Sequence, residues 1–123
     1  MFLKYPHLER FGNEEVDGIE FGTTYVFPKL DGTNAQLWGN PDGTIGAGSR
    51  NRTLTLDNDN AGFMNWAVGS SESHKFYDLF AGFPELRLYG EWLVPHSLKT
   101  YRDDAWRKFY IFDVCNAETG EFY

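Results

Sequence analysis

The segment that most constrains this chain is Lys-Phe-Tyr-Ile-Phe-Asp-Val-Cys at residues 108–115. Aromatic and β-branched side chains fit a pleated, half-buried surface, and this run is the strongest strand signal in the sequence. A strand cannot stand alone, because its backbone N–H and C=O groups need neighbours. The chain must therefore supply a sheet. Upstream, residues 23–28 (Thr-Thr-Tyr-Val-Phe-Pro) read as a strand, and residues 33–38 read as a second after an Asp31-Gly32 turn signal. Asn40-Pro41-Asp42-Gly43 is a strong turn, and Thr44-Ile45 begins the return between it and Gly46 and Gly48. Residues 86–94 alternate Leu88 and Trp92 against Arg87, Tyr89 and Glu91 until Pro95. Residues 116–120 read as a turn, and residues 121–123 as the start of another strand. Such an edge wants a partner, which suggests an excerpt of a longer protein or a naturally shortened one.

Two helices interrupt the strands. Residues 57–60 (Asp-Asn-Asp-Asn) offer N-caps ahead of residues 61–68. Ser70 or Ser71 is the expected cap of a second helix. Its Phe76, Leu79, Phe80 and Phe83 recur at helical spacing, and Gly82 and Pro84 stop it. The predicted class is α+β, a mostly antiparallel sheet with two helices on one side. Residues 1–22 read as a polar cap with one apolar anchor, Phe2-Leu3-Tyr5.

Composition narrows the function. With 22 aromatic residues (4 Trp, 7 Tyr, 11 Phe) among 123, the chain can bury enough surface to fold. A net charge of −7 opposes a general nucleic-acid coat, which needs a basic face. The single cysteine, Cys115, excludes an internal disulfide framework and a multi-cysteine zinc site, and a reducing interior fits. No apolar run reaches the roughly 20 residues of a membrane span, and no signal peptide is evident, so a cytoplasmic location is expected. His7, His74 and His96 show no ligand spacing.

Lys29 is the position that carries most chemistry. It ends the apolar run at 23–28 and precedes the Asp31-Gly32 turn. A lysine is a nucleophile only when deprotonated, which desolvation and neighbouring cations favour; Arg50 and Arg52 are candidates for those cations. A solvated turn lysine fits the same residues. Glu91 shares a strand face with Arg87 and Tyr89, a polar face able to line a cleft or simply to meet solvent. Phe112 reads as core by spacing, with Asp113 on the opposite face.

The text of the sequence adds a resemblance. Lys29-Leu30-Asp31-Gly32-Thr33-Asn34 resembles motif I of the covalent nucleotidyltransferases, which include ATP-dependent RNA and DNA ligases and mRNA capping enzymes. Ser49-Arg50 stands where motif Ia is expected, Tyr89-Gly90-Glu91-Trp92 resembles motif III, and Phe109-Tyr110-Ile111-Phe112-Asp113-Val114 resembles motif IIIa. The Thr-Asn tail of motif I and the opening Met1-Phe2-Leu3-Lys4-Tyr5 are most similar to the RNA ligase branch typified by phage RNA ligase 2 and RNA-editing ligases. Order and spacing give the match its specificity, since a lone Lys-x-Asp-Gly recurs by chance.

The resemblance implies the fold of a ligase adenylation core, with residues 1–123 as the N-terminal part of the adenylyltransferase domain. It implies Lys29 as the nucleophile that takes AMP from ATP, and AMP transfer to a 5′-phosphate before a 3′-hydroxyl seals the nick. Asn34 and Arg50 match positions that contact phosphate and sugar, Glu91 the ribose- or metal-organising glutamate, and Phe112 the aromatic that stacks on adenine. ATP and Mg2+ are the implied cofactors, and nucleic acid ends, RNA in preference to DNA, the implied partners, with no membrane. Arg52 has less claim than Arg50 and reads equally as a surface arginine. Lys99, Arg102, Arg107 and Lys108 form a basic cluster, either a solvated loop or a phosphate contact.

Two features depart from the family pattern. Pro28 stands where the RNA ligase branch often has a side chain able to read the purine. Motif IV, which feeds the metal, and motif V, a Lys-x-Lys pair, belong after motif IIIa and are expected in a C-terminal half, in cis or in trans. A DNA ligase, a capping-type enzyme and a non-catalytic nucleotide- or partner-binding module are the alternatives.

Overall fold

The computed structural model describes residues 2–6, 29–95 and 99–123. Four strands form one antiparallel sheet: β1 (Thr33–Gly39), β2 (Ile45–Gly48), β3 (Leu86–Trp92) and β4 (Phe109–Asn116), in spatial order β2-β1-β3-β4. Two helices, α1 (Phe63–Gly69) and α2 (Ser73–Gly82), lie between β2 and β3 in sequence. The α+β class and the antiparallel sheet therefore hold. The expected strand at residues 23–28, and also His7 and His96, lie outside the described residues.

Alternation along the strands divides the sheet into two faces. Ala35 and Leu37 of β1, Ile45 and Ala47 of β2, and Leu88 and Trp92 of β3 join Phe63, Ala67 and Phe80 of the helices in one hydrophobic core. The strand pattern fixes this register, because a one-residue slip would turn every apolar side chain outward. Gly46 leaves room for the Trp38 indole across the β1–β2 ladder, where a Cβ would stand 2.1 Å from Trp38 Nε1.

The turn at 40–43 forms as expected, with the Asn40 N–H on the Thr44 carbonyl at 2.8 Å. At the start of α1, one of the four polar residues at 57–60 does the capping. Asp59 accepts from the N–H groups of Met64 and Asn65, at 2.8 and 3.0 Å, while Gly62 occupies the cap position itself with φ +80°. At the start of α2, Glu72 holds the cap position without a side-chain bond of its own, and Ser70 serves the turn that leads in: its hydroxyl accepts from the Glu72 N–H at 3.2 Å while the Ser73 hydroxyl accepts from the Ser70 N–H at 3.0 Å. Ser73 is buried there, its hydroxyl donating to the Trp66 carbonyl, so that it links α2 back to α1. Phe83, counted among the helix's apolar residues, falls beyond Gly82 and is exposed.

The last residues fold back on β4. Phe122 bridges Cys115, and the Tyr123 N–H reaches the Val114 carbonyl at 2.9 Å. Cys115 is buried. Among the described residues no helix is long and apolar enough to cross a membrane.

Candidate functional site

Antiparallel pairing brings the candidates to one end of the sheet. β1 begins there at Thr33, β2 ends there at Gly48, β3 ends there at Trp92 and β4 begins there at Phe109. Asn34 and Glu91 are direct cross-strand partners and so share a face. Lys29 is exposed, four residues ahead of β1.

The turn after Lys29 is held at two successive amides. The Asp31 N–H donates to the Tyr101 hydroxyl at 3.0 Å, and the Gly32 N–H donates to Glu91 Oε2 at 2.9 Å. Glu91 thus ties motif I to motif III. Gly32 is needed at this contact, since a Cβ would stand 2.3 Å from the Trp92 carbonyl oxygen. Thr33 adds a third tie by accepting from Asn60 Nδ2 at 2.9 Å. A loop lysine is thereby mounted on a sheet end, the kind of support that a precisely placed reactive group requires.

The two arginines separate. Arg50 is exposed within residues 49–52, a turn closed by the Ser49 N–H on the Arg52 carbonyl and the Gly48–Thr53 bridge. Arg52 instead binds the Asn58 and Asp59 carbonyls through Nη1 and Nη2 at 2.7 and 2.8 Å. It fastens the loop into α1, a structural task that removes it from the candidate cations beside Lys29.

Phe112 and Asp113 correct the strand reading. Tyr89 pairs with Asp113 but Gly90 pairs with Ile111, so β4 carries one extra residue at Phe112. A bulge of this kind resets the two-residue alternation. Both residues then meet the same side chain. The Tyr5 ring lies edge-on to Phe112 at 5.4 Å, and its hydroxyl donates to Asp113. Phe112 is not core; it is 49% exposed, with a face free to stack. Gly90 permits the bulge, because a Cβ there would lie 2.3 Å from the Tyr110 carbonyl oxygen. A glycine inside a strand pattern was the available signal.

The polar face of β3 is also more enclosed than its sequence suggests. Tyr89 is buried, packs on Tyr5 at 4.9 Å and donates to the Leu3 carbonyl at 2.6 Å. Arg87 is only 3% exposed. Its Nη1 donates to Gln36 Oε1 at 3.1 Å, its guanidinium lies 4.6 Å from the Trp38 ring, and burial lowers its pKa. The anchor at Phe2, Leu3 and Tyr5 therefore forms part of the candidate site's wall, and Tyr101, which receives the Asp31 N–H, is a residue of the candidate site that the sequence alone did not single out.

Two predictions follow from this wall. Tyr5→Phe leaves the Asp113 carboxylate without its phenol, and a loss of about 1–3 kcal/mol is expected in denaturant unfolding. In a double-mutant cycle with Asp113→Ala, the two losses should fall short of adding. Alkaline pH provides the second. Burial pushes the Tyr89 phenol from its ordinary 10 up to about 12. Burial first, and then the Asp113 bond, also raise Tyr5. A raised folded-state pKa gives stability that is complete below the unfolded value, so stability should fall as pH climbs from 10 to about 12. Tyr89→Phe should flatten that fall, leaving only the share of Tyr5.

Of the basic cluster, Lys99 is exposed and Arg102 pairs with Asp104 at 3.0 Å, both exposed. Arg107 and Lys108 turn toward α2 instead, where they line a groove with Lys75. Among the described residues no group of three or more His, Cys, Asp or Glu side chains could hold a metal ion.

A family model for RNA ligase matches residues 22–123. The fold is similar to that of Naegleria gruberi RNA ligase bound to PPi, at 22% identity and a TM-score of 0.52, over 76% of this chain and 26% of that one. An apo mutant of that ligase gives 23% identity and a TM-score of 0.51, and a mutant bound to ATP and Mn gives 22% and 0.51. Each of these two alignments covers 77% of this chain and 27% of the ligase. The chain thus spans about a quarter of the length of these solved structures. No curated protein sequence matches it.

Proposed function

The chain belongs to the RNA ligase family, and on that premise we propose that it is the N-terminal part of the adenylyltransferase domain of an ATP-dependent RNA ligase. The observation that carries this reading is the double tether of the Lys29 turn, to Tyr101 and to Glu91. It joins two motifs that lie far apart in sequence and aims them at one end of the sheet.

In this reading the Lys29 Nζ, deprotonated, attacks the α-phosphorus of ATP. The N–P bond forms, the bond to the bridging oxygen breaks, and pyrophosphate leaves with its electron pair. The amine proton passes to solvent. The AMP then moves from Lys29 to the 5′-phosphate of an RNA strand, and attack by a 3′-hydroxyl seals the break and releases AMP. Arg50, exposed at the tip of its turn, meets phosphate oxygens as a forked donor. Asn34 and Glu91, side by side, hold the sugar and keep the turn in place. Phe112 offers its free face to the adenine ring. Mg2+ would accompany the nucleotide and supply charge against its phosphates; the described residues provide no cluster of three or more His, Cys, Asp or Glu side chains to hold it.

Labelling with ATP against GTP tests the nucleotide assignment. Transfer of AMP without GMP is expected. Transfer of GMP would move the chain to a capping-type reaction.

A further inference from the structure

We propose that the groove between α2 and the start of β4 binds a single-stranded stretch of polynucleotide, as a contact separate from the Lys29 end. The choice of a polynucleotide as the acidic partner rests on the ligase reading; the groove's shape and charge do not.

The groove has a volume of 470 Å³, with Trp66, Phe76 and Phe109 along its floor. All three rings are partly exposed, and Trp66 and Phe76 meet edge-on at 5.6 Å. Lys75, Arg107 and Lys108 stand exposed at its rim. Among the described residues the one carboxylate lining it, Glu72, pairs with Lys75. On a chain of net charge −7, three cations facing one carboxylate make a local reversal of sign. Aromatic faces flanked by cations are the two elements that hold a single strand, since bases stack on the rings and phosphates meet the charges.

Arg107 adds a second mark. It is a non-glycine residue with φ +55°, in the left-handed region, held there by its N–H on the Leu93 carbonyl at 2.8 Å. Such backbone strain collects at functional positions. Its guanidinium lies over the start of α1, where a Cβ on Gly62 would come within 3.1 Å of Nη2. The groove also adjoins the candidate site. Phe109 pairs with Trp92, and the next residue, Tyr110, pairs with Glu91. The groove and the candidate site thus meet at adjacent residues of β4.

The test is fluorescence anisotropy with a short labelled oligoadenosine, as RNA and as DNA, at several salt concentrations. The triple variant Lys75→Gln, Arg107→Gly, Lys108→Gln keeps the strained backbone position at ease, and circular dichroism checks its fold. The variant should bind roughly tenfold or more weakly, and its salt slope should fall by about 2, near 0.7 for each lost cation. Phe76→Leu should weaken binding with the slope unchanged. Binding of both RNA and DNA, or of RNA alone, agrees with the proposal. A wild-type chain that binds neither, or a triple variant with unchanged affinity and slope, overturns it. AMP transfer to Lys29 is read separately in the same variants. Its persistence with lost strand binding supports the groove, and its absence from a wild-type protein that carries motifs IV and V, while strand binding holds, would sink the ligase reading alone.

Discussion

Replacing Trp92 by alanine is expected to remove about 3–5 kcal/mol of stability, enough to leave a domain of this size close to unfolding. Trp92 is 0% exposed. Its ring lies 5.0 Å from Trp66 and 5.5 Å from Phe63, so it joins β3 to α1. Its Nε1 donates to the Ala61 carbonyl at 2.9 Å, so alanine opens a cavity and removes this tie to the start of α1 together. Trp92→Phe keeps much of the volume and loses the hydrogen bond, and should cost about 1–3 kcal/mol. Chemical denaturation reads both values. A loss below about 1 kcal/mol for Trp92→Ala would mean that the core can close around the gap. The site should feel this substitution as well, because the Trp92 carbonyl is the atom against which Gly32 sits and Glu91 is the preceding residue. By contrast, Glu91→Gln leaves the core untouched while exchanging one carboxylate oxygen for an amide.

Why some of this was legible in the sequence is clear from particular residues. β1 and β3 could be read because Ala35 and Leu37, and Leu88 and Trp92, alternate with residues of the other face, and a sheet with one covered face enforces that period. Residues 57–60 could be read as a cap because short polar side chains before an apolar run favour that role, and the structure picks Asp59 among the four. Phe112 could not be placed by periodicity. Its strand gains one residue at a bulge set by Gly90, and an aromatic side chain reads alike on either face. Arg87 misled for a different reason. A charged residue is expected in water, and only the cross-strand neighbours Gln36 and Trp38 make a buried guanidinium tolerable. Arg52 and Arg50 look equivalent two positions apart, and the carbonyls of Asn58 and Asp59 decide between them. The motifs were legible through order rather than physics. Nothing in the chemistry of Lys29 alone distinguishes it from a turn lysine, and its importance rests on the tethers to Tyr101 and Glu91.

Lys29→Ala is the second substitution of large effect, and it acts on chemistry rather than on the fold. Lys29 is exposed and contributes nothing to the hydrophobic core, so stability should change by less than about 0.5 kcal/mol. The covalent step should vanish, because alanine has no nucleophile to offer. Lys29→Arg should fail as well, since a guanidinium stays protonated at any working pH. Retained folding with lost chemistry in both variants separates a nucleophile from a supporting cation, for which arginine would serve.

The most direct measurement is the intact mass of the protein after incubation with ATP and Mg2+. A gain of one AMP per chain is predicted, located on Lys29 by peptide mapping and absent from Lys29→Ala. An adduct that survives Lys29→Ala would contradict the account, as would a wild-type protein carrying motifs IV and V that gains no AMP.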